Sequence, residues 1–287
     1  MIASGRPTTR RDASATALGA AIMRAVHQVV DGEPKIVDDP ISPLFINAEE
    51  LRELQYDPDV FLTPVACAMR VAVLAASRFA EDRLAEAYRR GVTQAVILGA
   101  GFDSFAYRQP GFARNLKIIE LDHPSLQRAK RERLATADVH VPANVEFIGI
   151  DLDRVSLSEG LRSSTFVWNE PAFFIWLGLM PYVREAAIVA ALRLIATRPR
   201  GTEIVFSFAR PTGASDDPKV EAARAWLSRF EPGALAKLLH MVGFSEVTFL
   251  NEDHVARYLG QREDELRPLR RVNVGSGIVG TQSNGAT

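Results

Sequence analysis

The stretch Ala95-Val96-Ile97-Leu98-Gly99-Ala100-Gly101-Phe102-Asp103-Ser104 decides how the rest of the chain is read. Its apolar run has no polar alternation, which suits a strand buried on both faces, as in a parallel sheet. The glycines at its carboxyl end allow a tight turn and let backbone approach a ligand with no Cβ in the way. A second apolar run, Lys117-Ile118-Ile119-Glu120-Leu121-Asp122, follows and ends in acids. Strand, glycine turn, connection, strand and acid form the pattern of a nucleoside site, where the acid accepts hydrogen bonds from ribose hydroxyls. The third glycine of the dinucleotide fingerprint is replaced by Ser104, so that fingerprint is incomplete. The glycines alone read equally well as a strand ending in a loop that needs positive φ. Glu120 and Asp122 tilt the reading towards a bound nucleoside.

The composition is that of an ordinary globular protein, with 47% hydrophobic and 24% charged residues. A length of 287 residues allows one large domain, or one domain with a lid. Lysine and arginine (34) balance aspartate and glutamate (35), leaving a net charge of -1. That balance points to neither nucleic acid nor an anionic membrane surface as partner. The single cysteine, Cys67, excludes an intramolecular disulfide and a cysteine-rich zinc site, and fits a reducing cytoplasm. The first residues lack the apolar core of a signal peptide. The apolar run from Ala172 to Met180 is far shorter than the ~20 residues of a spanning helix. A cytoplasmic protein is expected.

Residues 1–14 are expected to form a disordered arm, and 15–92 a helical N-terminal cap. In the first helix Leu18, Ile22, Ala25, Val26 and Val29 fall on one face. Asp38-Asp39-Pro40 marks a turn, and a longer helix runs from about Val65 to Arg90, closed by Gly91. On it, Arg78 and Asp82 have the spacing of an exposed i, i+4 pair. Strand and helix patterns then alternate. After the first two strands, the sequence predicts a helix from Pro124 to Thr136 and a strand from Val145 to Leu152. A strand over Ala172–Gly178 and a helix carrying Ile188, Leu192 and Ile195 follow, then a strand over Ile204–Phe208. Helices are expected over 218–230 and 232–242. Val247–Leu250 and Val272–Val279 read as strands separated by a short helix around His254–Leu259. The expected fold is α/β: a seven-stranded, mostly parallel sheet with an antiparallel terminal strand, helices on both faces and the helical cap ahead of it.

With those pieces in place, the sequence resembles the leucine carboxyl methyltransferase family, in its bacterial, actinobacterial-type branch of S-adenosylmethionine-dependent enzymes. The motifs that carry the likeness are Asp38-Asp39-Pro40, Arg78-Phe79-x-x-Asp82, Ile97 to Ser104 leading to Ala106-Tyr107-Arg108, Glu120-Leu121-Asp122-x-Pro124, and Asp151-Leu152. The resemblance covers roughly residues 15 to 280. It implies a Rossmann-like class I methyltransferase domain over 93–281 with S-adenosyl-L-methionine as cofactor. It also implies a small-molecule methyl acceptor, a carboxylate or acidic hydroxyl, of the kind found in secondary metabolism.

By the same resemblance, Arg78 would pair with the methionine carboxylate, whose shape its planar fork matches. Gly99, Ala100 and Gly101 would pass under the cofactor. Asp122, with Glu120 nearby, would hold the ribose. Asp151 and the backbone of Leu152 would bind the adenine edge. Asp103 has a local alternative, capping the turn. Many relatives carry Glu-Gly after the fourth strand where this chain has Leu177-Gly178. Tyr182 sits where the family has a tyrosine near the pocket, with core packing as its other reading.

No catalytic residue stands out, and none of the histidines His27, His123, His140, His240 and His254 falls in a metal-ligand spacing, so no metal is expected. Two alternatives stay open at this point. One is a nicotinamide-dependent oxidoreductase built on the same glycine turn, against which the terminal strand pair argues. The other is a homologue that binds the cofactor without catalysis. The acceptor's identity and the oligomeric state are not legible.

Overall fold

The computed structural model describes residues 9–46, 52, 58–152, 154–211, 226–260 and 272–280. Seven strands form one sheet in the order β3-β2-β1-β4-β5-β7-β6. They are β1 Gln94–Leu98, β2 Lys117–Asp122, β3 Val145–Gly149, β4 Phe173–Trp176, β5 Glu203–Ser207, β6 Phe244–Phe249 and β7 Val274–Val279. β1 to β5 pair in parallel, while β7 lies antiparallel between β5 and β6, with Val205 opposite Ser276. The order reverses beside β1, which opens a crevice at the carboxyl ends of β1 and β4, where α/β folds bind ligands.

Every residue of β1 is buried, as its unbroken apolar run requires. Alternate residues serve opposite faces. Ala95, Ile97, Ile118, Phe173, Ile175 and Val205 face one core with the helix α2 (Pro64–Arg89). Val96, Leu98, Ile119, Phe174, Trp176 and Phe206 face the other, where the helices run over Leu157–Arg162, Glu185–Ala196 and Pro232–Val242. Ile188, Leu192 and Ile195 are buried there, as their spacing predicts. Among the described residues before Gln94 there are helices and no strand. The first helix, α1 (Thr9–Val30), packs on α2 and on a 3-10 turn at Ser42–Phe45. Ala21 and Phe45 belong to the same core as the sheet, so this helical layer closes one face of it. No helix among the described residues is long and apolar enough to cross a membrane.

Several boundaries differ from expectation. The first helix starts at Thr9, inside the arm expected over 1–14. Of its expected apolar face, Ala25 and Val26 are buried and Leu18 and Ile22 pack against buried clusters, while Val29 is 63% exposed. Ala21, Arg24 and His27 are buried as well, because α1 is gripped on two sides by α2 and the 3-10 turn. β3 ends at Gly149, short of Asp151. The helix expected over 218–230 falls largely outside the described residues, and 226–230 carry no helix.

Candidate active site

The site begins where β1 stops. The amides of Gly99 and Ala100 both donate to the Leu121 carbonyl of β2, at 2.8 and 3.2 Å, so the turn stays sewn to the neighbouring strand. Gly99 and Gly101 adopt φ of +67° and +45°, in the left-handed region that glycine occupies without a Cβ penalty. A Cβ on Gly101 would lie 2.8 Å from the Cβ of Ala17 on α1, and one on Gly99 would clash with Leu179. Both glycines are therefore needed for close approach as well as for conformation. The Gly101 amide donates to Asp122 Oδ2 at 2.5 Å, and the His123 amide to Oδ1 at 2.6 Å. Burial pushes the Asp122 carboxyl above the ordinary carboxylate range even though these amides pull it down.

A cavity of about 380 Å³ lies over the turn. Its floor is Ile97 to Asp103 with Asp122. One side comes from α1 (Thr16, Ala17, Ala20, Arg24) and α2 (Ala72, Val73, Ala76, Ser77). The other side is Leu177 to Leu179, Pro181, Tyr182, Ser207, Phe208, Trp226 and Val272 to Val274. The structure therefore brings Gly99, Ala100, Gly101, Asp122 and Tyr182 to one wall system. Tyr182 Oη lies 2.6 Å from Thr16 Oγ1, which links the loop after β4 to α1 across the cavity. Asp103 reaches the cavity and also takes the capping role, accepting from the Phe105 amide at 2.9 Å.

Four expected contacts are not brought there. Arg78 is 46% exposed at its side chain. It pairs with Asp82 at 2.9 Å and donates to the Ile36 carbonyl at 3.3 Å. The reason is helical phase. Ala72, Val73, Ala76 and Ser77 form the stripe that faces the cavity, and Arg78 stands about 100° further round. Glu120 points to the same face as Asp122 but lies one pleat, about 7 Å, deeper in the sheet. There its carboxylate is fully buried against Lys130 Nζ (2.8 and 2.9 Å) and Tyr107 Oη (2.9 Å). Asp151 lies in a separate surface depression with His123 and Ser163, 3.7 Å from Arg154 Nε. Leu152 faces another depression, beside Trp176. Trp176 is buried in the core, and among the described residues its indole N–H has no hydrogen-bond partner.

Arg24 is the cationic residue at the cavity wall that the sequence did not single out. Its Nη2 donates to the Phe102 carbonyl at 2.7 Å and its Nε to Ser42 Oγ at 3.0 Å. The one available signal was a charged residue set between Ile22-Met23 and Ala25-Val26 in an otherwise apolar stretch of helix. Asp39, of the Asp38-Asp39-Pro40 motif, is fully buried beside it, with Arg24 Nε at 3.5 Å and Arg108 Nε at 4.0 Å. It accepts from the hydroxyls of Ser42 and Ser104 and the amides of Ile41 and Ser42. Arg108 continues the chain of contacts to Glu81 of α2. The motif is thus a clasp between the helical layer and the glycine turn. Ser104, in the third glycine's place, supplies one of its hydroxyls.

The model of the leucine carboxyl methyltransferase family matches residues 17–196. The chain belongs to that family. It is 31% identical over 224 residues to YktD of Bacillus subtilis (strain 168), covering 71% of this chain and 73% of that one. A relative from Mycolicibacterium paratuberculosis (strain ATCC BAA-968 / K-10) is 28% identical over 274 residues, covering 90% and 96%. The names of both describe S-adenosyl-L-methionine-dependent methyltransferases. A crystal structure of a methyltransferase from Thermobifida fusca YX shares the fold, with a TM-score of 0.54 at 13% identity over 91% of this chain and 94% of that one. The protein is accordingly an S-adenosylmethionine-dependent methyltransferase with a class I sheet. The glycine cradle and the Asp122 carboxylate at the cavity fit that cofactor.

Proposed function

We propose that this enzyme methylates an oxygen of a small acid, a carboxylate or an acidic hydroxyl. The observation that carries the reading is the make-up of the cavity wall away from the glycine turn. There Ser207, Asn273 and Tyr182 supply neutral hydrogen-bonding groups among Leu177, Phe208, Trp226 and Val274. When bound, the cofactor supplies a methyl carbon already activated by its positively charged sulfur. The chain's own contribution is then orientation and exclusion of water.

Proton removal depends on the acceptor. A phenol with pKa about 10 is ionised about one part in a thousand at pH 7 and needs a base, whereas a carboxylic acid near 4 is already an anion. Among the described lining residues the carboxylates are Asp103 and Asp122, and both accept backbone amides. An acceptor that arrives ionised suits this wall.

Asp122 is proposed to hold the ribose hydroxyls, and the backbone from Gly99 to Gly101 to run beneath the cofactor. Arg24, in place of Arg78, is proposed to pair with the methionine carboxylate, since among the described residues its Nη1 has no protein partner. The test is transfer of labelled methyl from S-adenosylmethionine into a panel of small carboxylic acids and matched phenols. Ester or enol-ether products are expected from the acids. Label on phenols alone, or on nitrogen, would overturn the assignment.

A further inference from the structure

Beyond the cavity, along the same carboxyl edge of the sheet, a groove of about 730 Å³ opens over β5, β7 and β6. Phe208, Val272, Asn273 and Val274 line both, so one partition of side chains faces the cofactor cavity and the groove. The rest of the groove is Phe249 to Asp253 and the apolar face of the helix α3 (Glu252–Leu259). Arg210, just past the end of β5, is the cation among the described residues lining it.

Arg210 makes no hydrogen bond or ion pair with the described chain, and its Nε is buried without a partner. A buried donor on a permanently charged group is costly to leave unpaired, and such groups mark places where something else supplies the acceptor. The two acids of the groove are explained within the fold. Glu252 and Asp253 are exposed and stand in the first turn of α3, where the helix dipole favours them. Nothing in the fold accounts for the Arg210 charge in the same way.

We infer that this groove binds the carboxylate-bearing methyl acceptor, with the Arg210 guanidinium pairing an anionic group distant from the oxygen that is methylated. The inference rests on the methyl-transfer reading for the ligand's role and on Arg210 alone for its charge. The acceptor then spans the partition, with its charged end on Arg210 and its reacting end past Asn273 and Phe208. Acids of the dicarboxylate class fit this arrangement, and a neutral acceptor of equal size does not.

The test is thermal unfolding of the full chain titrated with glutarate, against sodium chloride at matched ionic strength, for wild type, Arg210→Gln and Arg210→Lys. The exposed Arg257→Gln on α3 serves as charge control. Wild type and the control should show a saturable rise in melting temperature. Arg210→Gln should lose it by at least about tenfold in apparent affinity, and Arg210→Lys should fall between, since a point charge lacks the fork. Arg210→Gln without ligand should melt no lower than wild type, because no internal contact is lost. A glutarate response equal in wild type and Arg210→Gln, or none in wild type, overturns the proposal. Binding of S-adenosylhomocysteine is measured in parallel on every variant. If it is lost throughout, the cofactor reading fails. If it is intact while glutarate is ignored, only the groove assignment fails.

Discussion

Asp122 joins the glycine turn to the helix that follows β2. Its two oxygens each take an amide of the fold, and a carboxylate has lone pairs left for ribose hydroxyls. Hydrogen bonds to a charged group contribute about 1.5–3 kcal/mol, so Asp122→Asn should weaken S-adenosylhomocysteine at least about tenfold in calorimetry. The pH dependence has a definite sign. Burial raises the Asp122 pKa, so cofactor affinity should fall on acidification at a pH above the ordinary carboxylate value of about 3.9. The Asn variant should lack that acid limb.

Arg24 and Arg78 separate two readings of the carboxylate partner. Arg24→Gln should cost about 2–5 kcal/mol of S-adenosylhomocysteine binding, the range for leaving a buried charge unpaired. Arg78→Gln should leave binding within error and lower stability by no more than about 1 kcal/mol, the worth of an exposed pair. Loss of binding in Arg78→Gln with Arg24→Gln unaffected would restore the assignment expected from the Arg-Phe-x-x-Asp motif.

The glycine turn acts as a unit because three elements converge on it. β1 ends in it, the Leu121 carbonyl of β2 holds it, and α1 lies against Gly101 through Ala17. Gly101→Ala should therefore destabilise by two routes. The left-handed backbone costs about 1–2 kcal/mol for any residue with a Cβ. The added methyl also meets Ala17 at 2.8 Å, on a helix backbone with little room to give, so α1 must shift. Gly99→Ala has the same backbone cost, and its added methyl meets Leu179, whose Cβ at 2.8 Å cannot move away by side-chain rotation. Chemical denaturation should show both variants destabilised by at least the backbone cost, and ligand affinity should fall in both.

At the scale of the molecule, one buried aspartate ties the helical layer together and a second locks that layer to the glycine turn. Asp31 takes the Arg70 guanidinium in two bonds, at 2.8 and 2.9 Å. It also meets His27 Nδ1 at 2.7 Å, while the other nitrogen of that ring accepts the Ile36 amide, which puts the proton on Nδ1. Asp39 holds Arg24, Arg108 and the serine hydroxyls. For Asp39, burial acts to raise the pKa and the charges of Arg24 and Arg108 outweigh it, leaving the carboxyl below its usual value. Asp31 is lowered too, with burial again opposed by its bonds to His27 and Arg70. A depressed folded pKa stabilises the protein above the unfolded value of about 3.9, and that stability is lost as pH falls further towards the folded pKa. Urea unfolding should therefore show a steep loss below about pH 4, less steep in Asp39→Asn. At pH 7 that variant should be less stable by about 3–5 kcal/mol, since two arginines lose their buried partner. Equal stability of the two proteins at neutral pH would remove the clasp from the account.

What the linear chain determined by itself was the sheet and the place of the site on it. An unbroken apolar run, glycines at its end and an acid after the next strand are local properties, legible because strand burial and positive φ constrain residue type position by position. The distinct final segment likewise foretold the antiparallel β7. The tertiary structure alone decided which charged groups meet the cavity. Arg78 and Ser77 are neighbours in sequence, yet a helix turns by about 100° between them and only Ser77 faces inward. Glu120 and Asp122 share a face, yet one pleat of depth separates a core ion pair from a residue of the cavity wall. Arg24 and Arg210 acquire their significance from what surrounds them, Phe102 and Asp39 for the first and an unpaired, half-buried position for the second. Periodicity encodes which side of an element is buried, but the partner waiting there belongs to a distant part of the chain.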